Sequence, residues 1–149
     1  MKKKQILAVR KLNRKINRCL ECPFLYDKIN NGKKELLWGK GNEVLFIGQS
    51  PAESHGKTGR SRFDVFFKEL VSHTDINWEL VSFTNVCKTS IPPGRSLSDS
   101  ELKHVVQHLT EEIITLEPEM IITLGSLAKD VFNLGFGQVT NAHVVMHHP

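Results

Sequence analysis

Four short apolar runs, separated by stretches with helical spacing, constrain the fold of this chain more than any other feature. They are EVLFIG (43–48), LVSFTNVCK (80–88), MIITLG (120–125) and HVVMHHP (143–149). Their length and their β-branched and aromatic content are typical of buried strands. Strands that alternate with helices favour a parallel sheet covered on both faces. The sequence therefore predicts an α/β fold, a three-layer sandwich around a central, mainly parallel four-stranded sheet.

Two stretches between these runs have the spacing of amphipathic helices. The first is an aromatic stripe at intervals of three and four residues, made of Phe63, Phe66, Phe67, Leu70 and Val71. The second begins with Ser98 and Glu101, which are spaced as a capping box, and keeps apolar helical spacing until Pro118. A shorter helix is predicted from about Ser126.

The length of the chain favours one domain over residues 1–149. A chain of 149 residues with 40% hydrophobic content is long enough for one core and short for two domains. The polar stretch Tyr26–Lys40 is interpreted as a surface loop. In parallel sheets, ligands bind beyond the carboxyl ends of the strands, which here carry GQSP, TNVCK, TLG and HHP.

The positive charge of the chain is concentrated at its start. The formal net charge is +4, and residues 1–18 contain eight basic side chains and no acidic one: Lys2, Lys3, Lys4, Arg10, Lys11, Arg14, Lys15 and Arg18. This segment is interpreted as a basic helix or arm that contacts phosphates, with a solvated helical face as the alternative. The apolar stretch Ile6–Val9 is too short for a signal peptide or a membrane span, so we expect a cytoplasmic protein.

Five motifs occur in a fixed order between Cys19 and Pro149. They are CLEC, GQSPAESHGKTGR, TNVCKTSIPPGR, LEPEMIITLG and HHP. This series resembles the uracil-DNA glycosylase superfamily, and within it most closely family 4 of bacteria and archaea. Members of that family show a CxxC pair, a strand ending in GE[GA]PG followed by TGRPF, TNVVKC with PPGNR, RPxVIVxLG and a final HP. Each motif alone is weak evidence, whereas five in order at matching intervals are specific.

The resemblance implies that one nucleotide is flipped out of DNA and its base is read in a pocket. Asn85 matches the asparagine of the TNV motif, whose amide can donate to O4 of uracil and accept from N3–H. His148 matches the histidine of the HP motif and would donate to O2 as charge collects on the leaving base. Gln49 and Ser50 would line the pocket through their backbone. Taken alone, Asn85 is better explained as a strand-end residue that bonds to backbone, and only the surrounding motifs favour the pocket.

Further contacts to base and DNA follow from the same resemblance. Phe63 is the candidate for stacking on the flipped base, although an ungapped match puts Arg62 at that position. The loop with Pro92, Pro93 and Arg95 resembles the loop that presses on the DNA backbone, and Arg60 belongs to the TGR segment that would also contact DNA. The alternatives are a core position for Phe63 and a rigid turn for the proline loop.

The catalytic loop departs from the family pattern. Ser50 stands where many superfamily members have Asp or Asn to position the attacking water, and Gln49 stands where family 4 has Glu. Glu53 is the remaining loop carboxylate, and His55 could orient or activate water because its pKa lies near working pH. We therefore expect weakened activity.

The cysteines also depart from the pattern. Family 4 enzymes hold an iron–sulfur cluster on four cysteines, of which Cys19 and Cys22 are present, while the other two positions fall on Thr89 and Val105. No cofactor is therefore expected, with a cluster or a zinc ion at Cys19 and Cys22 as the alternative. A substitute metal site could use Cys87 together with His108.

Two functions are compatible with these patterns. The first is a monofunctional glycosylase that removes uracil or a related altered base from DNA by hydrolysis. The second is a glycosylase-like module that has lost its water-handling acids and only recognises DNA, bases or a protein partner. For both we expect a monomer that binds DNA and no membrane.

Overall fold

The computed structural model describes residues 1–51, 73, 77–137 and 143–146, the last four through their backbone. Within these residues the helices are α1 (Lys3–Arg18), α2 (Asp99–Leu116) and α3 (Ser126–Phe136). The strands are β1 (Trp38–Gly39), β2 (Val44–Gly48), β3 (Val81–Asn85), β4 (Met120–Leu124) and β5 (His143–Met146), and a 3-10 turn at Trp78–Leu80 leads into β3.

These strands form one sheet in the order β1-β3-β2-β4-β5. The four predicted strands pair in parallel, which confirms the α/β fold class. The fifth, β1, is a two-residue antiparallel edge strand inside the stretch predicted to be a surface loop. Its Trp38 stacks on Phe83 with ring centroids 4.4 Å apart. Two residues are too few to show a strand period, so the sequence could not reveal this strand.

The three described helices pack on one face of the sheet. Leu45 and Ile47 of β2 lie in one buried cluster with Val9 of α1, Leu109 of α2 and Val131 of α3. Side chains alternate along a strand, so the intervening residues point to the other face.

On that other face, Phe46 forms a smaller cluster with Val81 and Phe83 of β3. The aromatic stripe from Phe63 to Val71, which would supply the second helical layer, lies outside the described residues. The third layer of the predicted sandwich therefore stays a prediction.

Helix α2 begins and ends as its sequence predicts. The Ser98 hydroxyl accepts from the backbone N–H of Glu101, and the Glu101 carboxylate accepts from the backbone N–H of Ser98, which completes the capping box. At the other end Glu117 takes a left-handed conformation, with φ 49°, before Pro118. The helix stops there because the residue before a proline disfavours helical backbone.

The basic segment at the start of the chain is a helix. Val9, Leu12 and Ile16 recur on one side of α1 and are buried, while most of its cations are exposed. The Gln5 side chain donates to the carbonyl of Leu116, just before β4 begins. The start of α1 therefore lies at the amino edge of the sheet. Within the described part of the chain, no helix is long and apolar enough to cross a membrane.

Candidate functional site

The carboxyl ends of the parallel strands bring together the segments singled out by the sequence. Gly48 at the end of β2 is the register partner of Asn85 at the end of β3, and Leu124 of β4 is that of Met146 of β5. Adjacent strands lie about 4.8 Å apart. The GQS and TNV segments are therefore direct neighbours at this edge.

The amide of Asn85 is fixed between two neighbours. Its Nδ2 donates to Glu35 Oε2 at 2.7 Å, and its Oδ1 lies so close to Gly48 that a Cβ on that residue would collide with it. An ionised carboxylate can only accept, so Glu35 orients the NH₂ group and leaves Oδ1 on the side of β2. The second Nδ2 hydrogen and the lone pairs of Oδ1 suit a ligand with adjacent acceptor and donor groups.

A buried ion pair stabilises the end of β3. Lys88 Nζ lies 2.6 Å from Glu112 Oε2, and the two side chains are 1% and 0% exposed. The same ammonium donates to Thr84 Oγ1 and to the Asn85 carbonyl, both at 2.6 Å. Thr84 in turn donates to Glu112 Oε2 at 2.7 Å. Burial raises the pKa of Glu112, while the ammonium of Lys88 opposes that rise. The network holds the backbone of Asn85 in place.

The loop after β2 continues the pairing beyond the strand. The backbone N–H of Val86 donates to the Gly48 carbonyl at 2.9 Å, and that of Cys87 to the Gln49 carbonyl at 3.0 Å. Gln49 is exposed and Ser50 half-buried. Both predicted pocket residues thus lie at the edge where Asn85 presents its amide.

The proline loop forms a closed turn beside this edge. The Arg95 N–H donates to the Pro92 carbonyl at 3.1 Å, and Gly94 has φ 73°, as in a type II turn with Pro93 at its second position. The Arg95 guanidinium lies over the ring of Phe24, 5.2 Å from its centroid. The rigid turn expected from the sequence is therefore present, and it holds an exposed cation.

Several predicted site residues fall outside the described part of the chain. They are Glu53, His55, Arg60, Phe63 and His148. Strand β5 ends at Met146, two residues before His148. The roles of these five residues stay predictions.

A second group of side chains with metal-binding chemistry lies where the end of α1 meets the first turns of α2. Cys19, Cys22, His104 and His108 each offer a ligand atom, and the four atoms lie within 4.8 Å of one another. Cys19 Sγ is 3.4 Å from His104 Nε2, and Cys22 Sγ is 3.7 Å from His108 Nε2. These four residues, called the tetrad below, could hold a metal ion.

Two members of the tetrad, Cys22 and His108, are buried, whereas the other two are partly exposed. Burial raises the pKa of the Cys22 thiol to about 12. Burial, together with the nearby His104, lowers the pKa of His108 to about 4. The Nδ1 atom of His108 is buried and has no hydrogen-bond partner among the described residues.

Cys87 does not join the tetrad. Its thiol is buried and lies 3.4 Å from the Thr89 hydroxyl, in the core cluster between the sheet and the helices. The sequence interpretation named His108 and missed His104. The available signal is the spacing within each pair, C-x2-C and H-x3-H, each of which is common in metal sites. The two pairs are far apart in the sequence, so only the fold brings them together.

The fold, together with the Asn85 site at the carboxyl edge of the sheet, defines the class of the protein. Sequence comparison gives the same class. The family profile described as "Uracil DNA glycosylase superfamily" matches residues 39–149. The chain therefore belongs to the uracil-DNA glycosylase superfamily, which confirms the resemblance of its motifs.

Individual relatives narrow the comparison. The chain is similar to a type-4 uracil-DNA glycosylase of Thermotoga maritima, at 28% identity over 127 residues that cover 81% of this chain and 64% of the relative. It is 29% identical over 117 residues to the type-4 uracil-DNA glycosylase of Saccharolobus solfataricus, covering 74% and 52%. The corresponding enzyme of Archaeoglobus fulgidus is 27% identical over 128 residues, covering 81% and 62%. The chain thus spans between about half and two thirds of the length of these relatives.

Proposed function

We propose that this protein is a monofunctional DNA glycosylase that removes uracil, or a related altered base, by hydrolysis of the N-glycosidic bond. The observation that carries the proposal is the Asn85 amide, held by Glu35 at the strand edge of a chain that belongs to the superfamily. Relatives named as type-4 uracil-DNA glycosylases support uracil as the substrate. Base excision repair of DNA is the corresponding role.

The base would be read by Asn85 after the nucleotide is flipped out of the duplex. Its Nδ2 would donate to O4 of uracil and its Oδ1 would accept from N3–H. Cytosine carries an amino group in place of O4 and no hydrogen on N3. The Nδ2 donor of Asn85 would therefore face another donor, and its Oδ1 would face an atom with no hydrogen to donate. With the amide orientation held by the Glu35 carboxylate, Asn85 would discriminate against cytosine.

Bond cleavage would depend on charge stabilisation more than on a strong base. We propose that His148 donates to O2 as negative charge collects on the departing uracil. Glu53 or His55 would orient the water that attacks the sugar. Gln49 and Ser50 would line the pocket, Phe63 would stack on the base, and Arg60, Pro92, Pro93 and Arg95 would contact the DNA backbone.

A glycosylase assay tests this proposal directly. The purified chain is incubated with labelled oligonucleotides that carry one uracil, either single-stranded or opposite guanine, and alkali then cleaves abasic sites. We expect uracil-dependent cleavage that His148→Ala and Asn85→Ala reduce by at least tenfold. Asn42→Ala, at the amino edge of the sheet, is the matched control and should leave the rate unchanged.

DNA binding without cleavage by the wild-type chain on either substrate would overturn the enzyme proposal. The binding-module alternative would then account for the fold. Equal cleavage by wild type and both site variants would leave the activity but contradict the assigned roles.

A further inference from the structure

The tetrad does not fit the four-cysteine cluster that the motif resemblance implies. The chain has three cysteines, and Cys87 is directed into the core. The two positions that would complete a four-cysteine set hold Thr89, whose hydroxyl donates to the Pro23 carbonyl, and Val105, which is buried. Four thiolates are the usual requirement for an iron–sulfur cluster, and one chain cannot supply them here.

We propose that Cys19, Cys22, His104 and His108 instead bind a single zinc ion with tetrahedral coordination. The ligand set has two sulfurs and two nitrogens, which is typical of structural zinc sites. With Zn–S of about 2.3 Å and Zn–N of about 2.05 Å, a tetrahedron separates sulfur from nitrogen by about 3.5 Å. The two sulfur–nitrogen distances of 3.4 and 3.7 Å bracket that value.

The spacing of the ligands in the sequence supports the same site. Cys19 and Cys22 are separated by two residues in the turn that follows α1, and His104 and His108 are one helical turn apart on α2. Residues four apart on a helix project from the same face, so both imidazoles can reach one ion. All four positions are filled by protein atoms, so the ion would be structural.

The surroundings of the tetrad suit a bound cation with two thiolates. The Nδ1 atom of His104 faces the Glu21 carboxylate at 3.9 Å, on the side opposite its tetrad nitrogen. At 3.9 Å the carboxylate makes no hydrogen bond to Nδ1, but it lies near the position of the outer carboxylate often found behind a ligating imidazole. Lys34 donates to the carbonyls of Ile16 at 3.0 Å and of Cys19, which fixes the backbone beside the first thiol.

The ion would join helices that also meet through the ion pair of Lys15 with Glu111, whose nitrogen and oxygen lie 2.7 Å apart. It would tie the end of α1 to the first half of α2 and fix the turn that leads to Phe24. Phe24 carries the Arg95 guanidinium, and the Asn30 amide ties the Phe24 carbonyl to the Ser90 carbonyl. Zinc would thus support the loop beside the carboxyl edge of the sheet, where Asn85 lies, without taking part in the reaction.

Metal analysis of the full chain tests the proposal independently of any glycosylase activity. The protein is purified without chelators and under anaerobic conditions, and zinc, iron and acid-labile sulfide are measured per chain. We expect one zinc, with iron and sulfide near background. Cobalt exchanged into the site should give the intense visible bands of a tetrahedral ion together with sulfur-to-cobalt charge transfer.

Substitutions identify the ligands. Cys22→Ser and His108→Asn should each lose the metal, whereas Cys87→Ser removes the third cysteine and should retain it. Because loss variants can fail to fold, His108→Cys provides a gain of signal. It keeps four ligands and should strengthen sulfur-to-cobalt charge transfer in a folded protein.

Three results would overturn the proposal. One is stoichiometric iron and sulfide, which would restore the cluster. Another is a wild-type chain that neither retains zinc nor gives the tetrahedral cobalt spectrum. The third is loss of metal from Cys87→Ser as complete as that from Cys22→Ser.

Discussion

At the scale of single residues, the pairing of Asn85 with Glu35 determines which amide groups the candidate pocket presents to a base. A primary amide has two nearly equivalent orientations, and a carboxylate at 2.7 Å selects one of them. A hydrogen bond to a charged group contributes about 1.5–3 kcal/mol. Glu35 is therefore expected to act as a positioning residue, because it orients the side chain that would contact the base.

Replacement of Glu35 should reduce uracil excision without loss of fold. We expect Glu35→Ala to lower kcat/KM for uracil-containing DNA by roughly ten- to a hundredfold, as 1.4 kcal/mol corresponds to about tenfold. Glu35→Gln should recover part of the rate, since its side-chain oxygen can still accept from Asn85. Glu43→Ala, an exposed carboxylate at the amino edge, serves as control. Equal rates for Glu35→Ala and wild type would disprove the positioning role.

The sequence predicted one member of this residue pair and not the other. Asn85 is predictable because it lies in the TNV motif, at the end of a strand that parallel pairing aligns with Gly48. Glu35 lies in a polar stretch without strand or helix periodicity, and its contact joins residues 50 positions apart. Such a pairing depends on tertiary packing, which local patterns do not encode.

At the scale of elements, α2 illustrates what a pattern can and cannot predict. Its start at Ser98, its end before Pro118 and its apolar stripe were all read from spacing, because capping and amphipathicity are local. Glu112 lies on the buried side of the same helix beside Leu109 and Ile113, and it is fully buried. Spacing alone gives no reason for a buried carboxylate. Its partner is Lys88, 24 residues earlier in the chain.

The Lys88–Glu112 pair joins α2 to the end of β3. The effects on stability of replacing its two residues should therefore not be additive. Either Lys88→Met or Glu112→Leu leaves a buried charge without its partner and should lower the free energy of unfolding by about 3–5 kcal/mol. The double variant removes both charges. Its loss of unfolding free energy should be clearly smaller than the sum of the losses of the two single variants. Urea unfolding of the four proteins measures this coupling.

An exposed ion pair provides the matched control. Lys40 and Glu79 have side chains that are 71% and 61% exposed. Lys40→Met should therefore change stability by no more than about 1 kcal/mol. Additive losses in the Lys88 and Glu112 double variant would show that the two side chains act separately, contrary to the geometry.

At the scale of the whole molecule, the distribution of positive charge relative to the sheet indicates where the proposed DNA substrate would bind. The amino terminus of the chain donates to the Lys40 carbonyl, and the Lys40 N–H donates to Val81, the first residue of β3. The start of α1 is therefore at the amino edge. Its end adjoins His104 in the first turns of α2, which follows the loop from β3 and lies toward the carboxyl edge.

This orientation divides the basic residues of α1 into two groups with different expected effects. Lys3 and Lys4 lie at the edge away from Asn85, whereas Arg14 and Arg18 are exposed in the half nearer to it. We expect Arg14→Gln with Arg18→Gln to weaken DNA binding. The negative slope of log K against log salt should become less steep by about 0.9 per lost phosphate contact on duplex DNA.

Lys3→Gln with Lys4→Gln removes the same charge from the same helix and serves as the matched control. Because both pairs reduce the net charge of +4 equally, a general electrostatic effect would weaken binding to the same extent in each. A larger loss for the Arg14 and Arg18 pair would indicate that phosphates contact the half of α1 nearer to the carboxyl edge, where Asn85 lies. Identical salt slopes for both variants and the wild type would mean that α1 presents only a solvated face, and that phosphate contacts come from other parts of the chain.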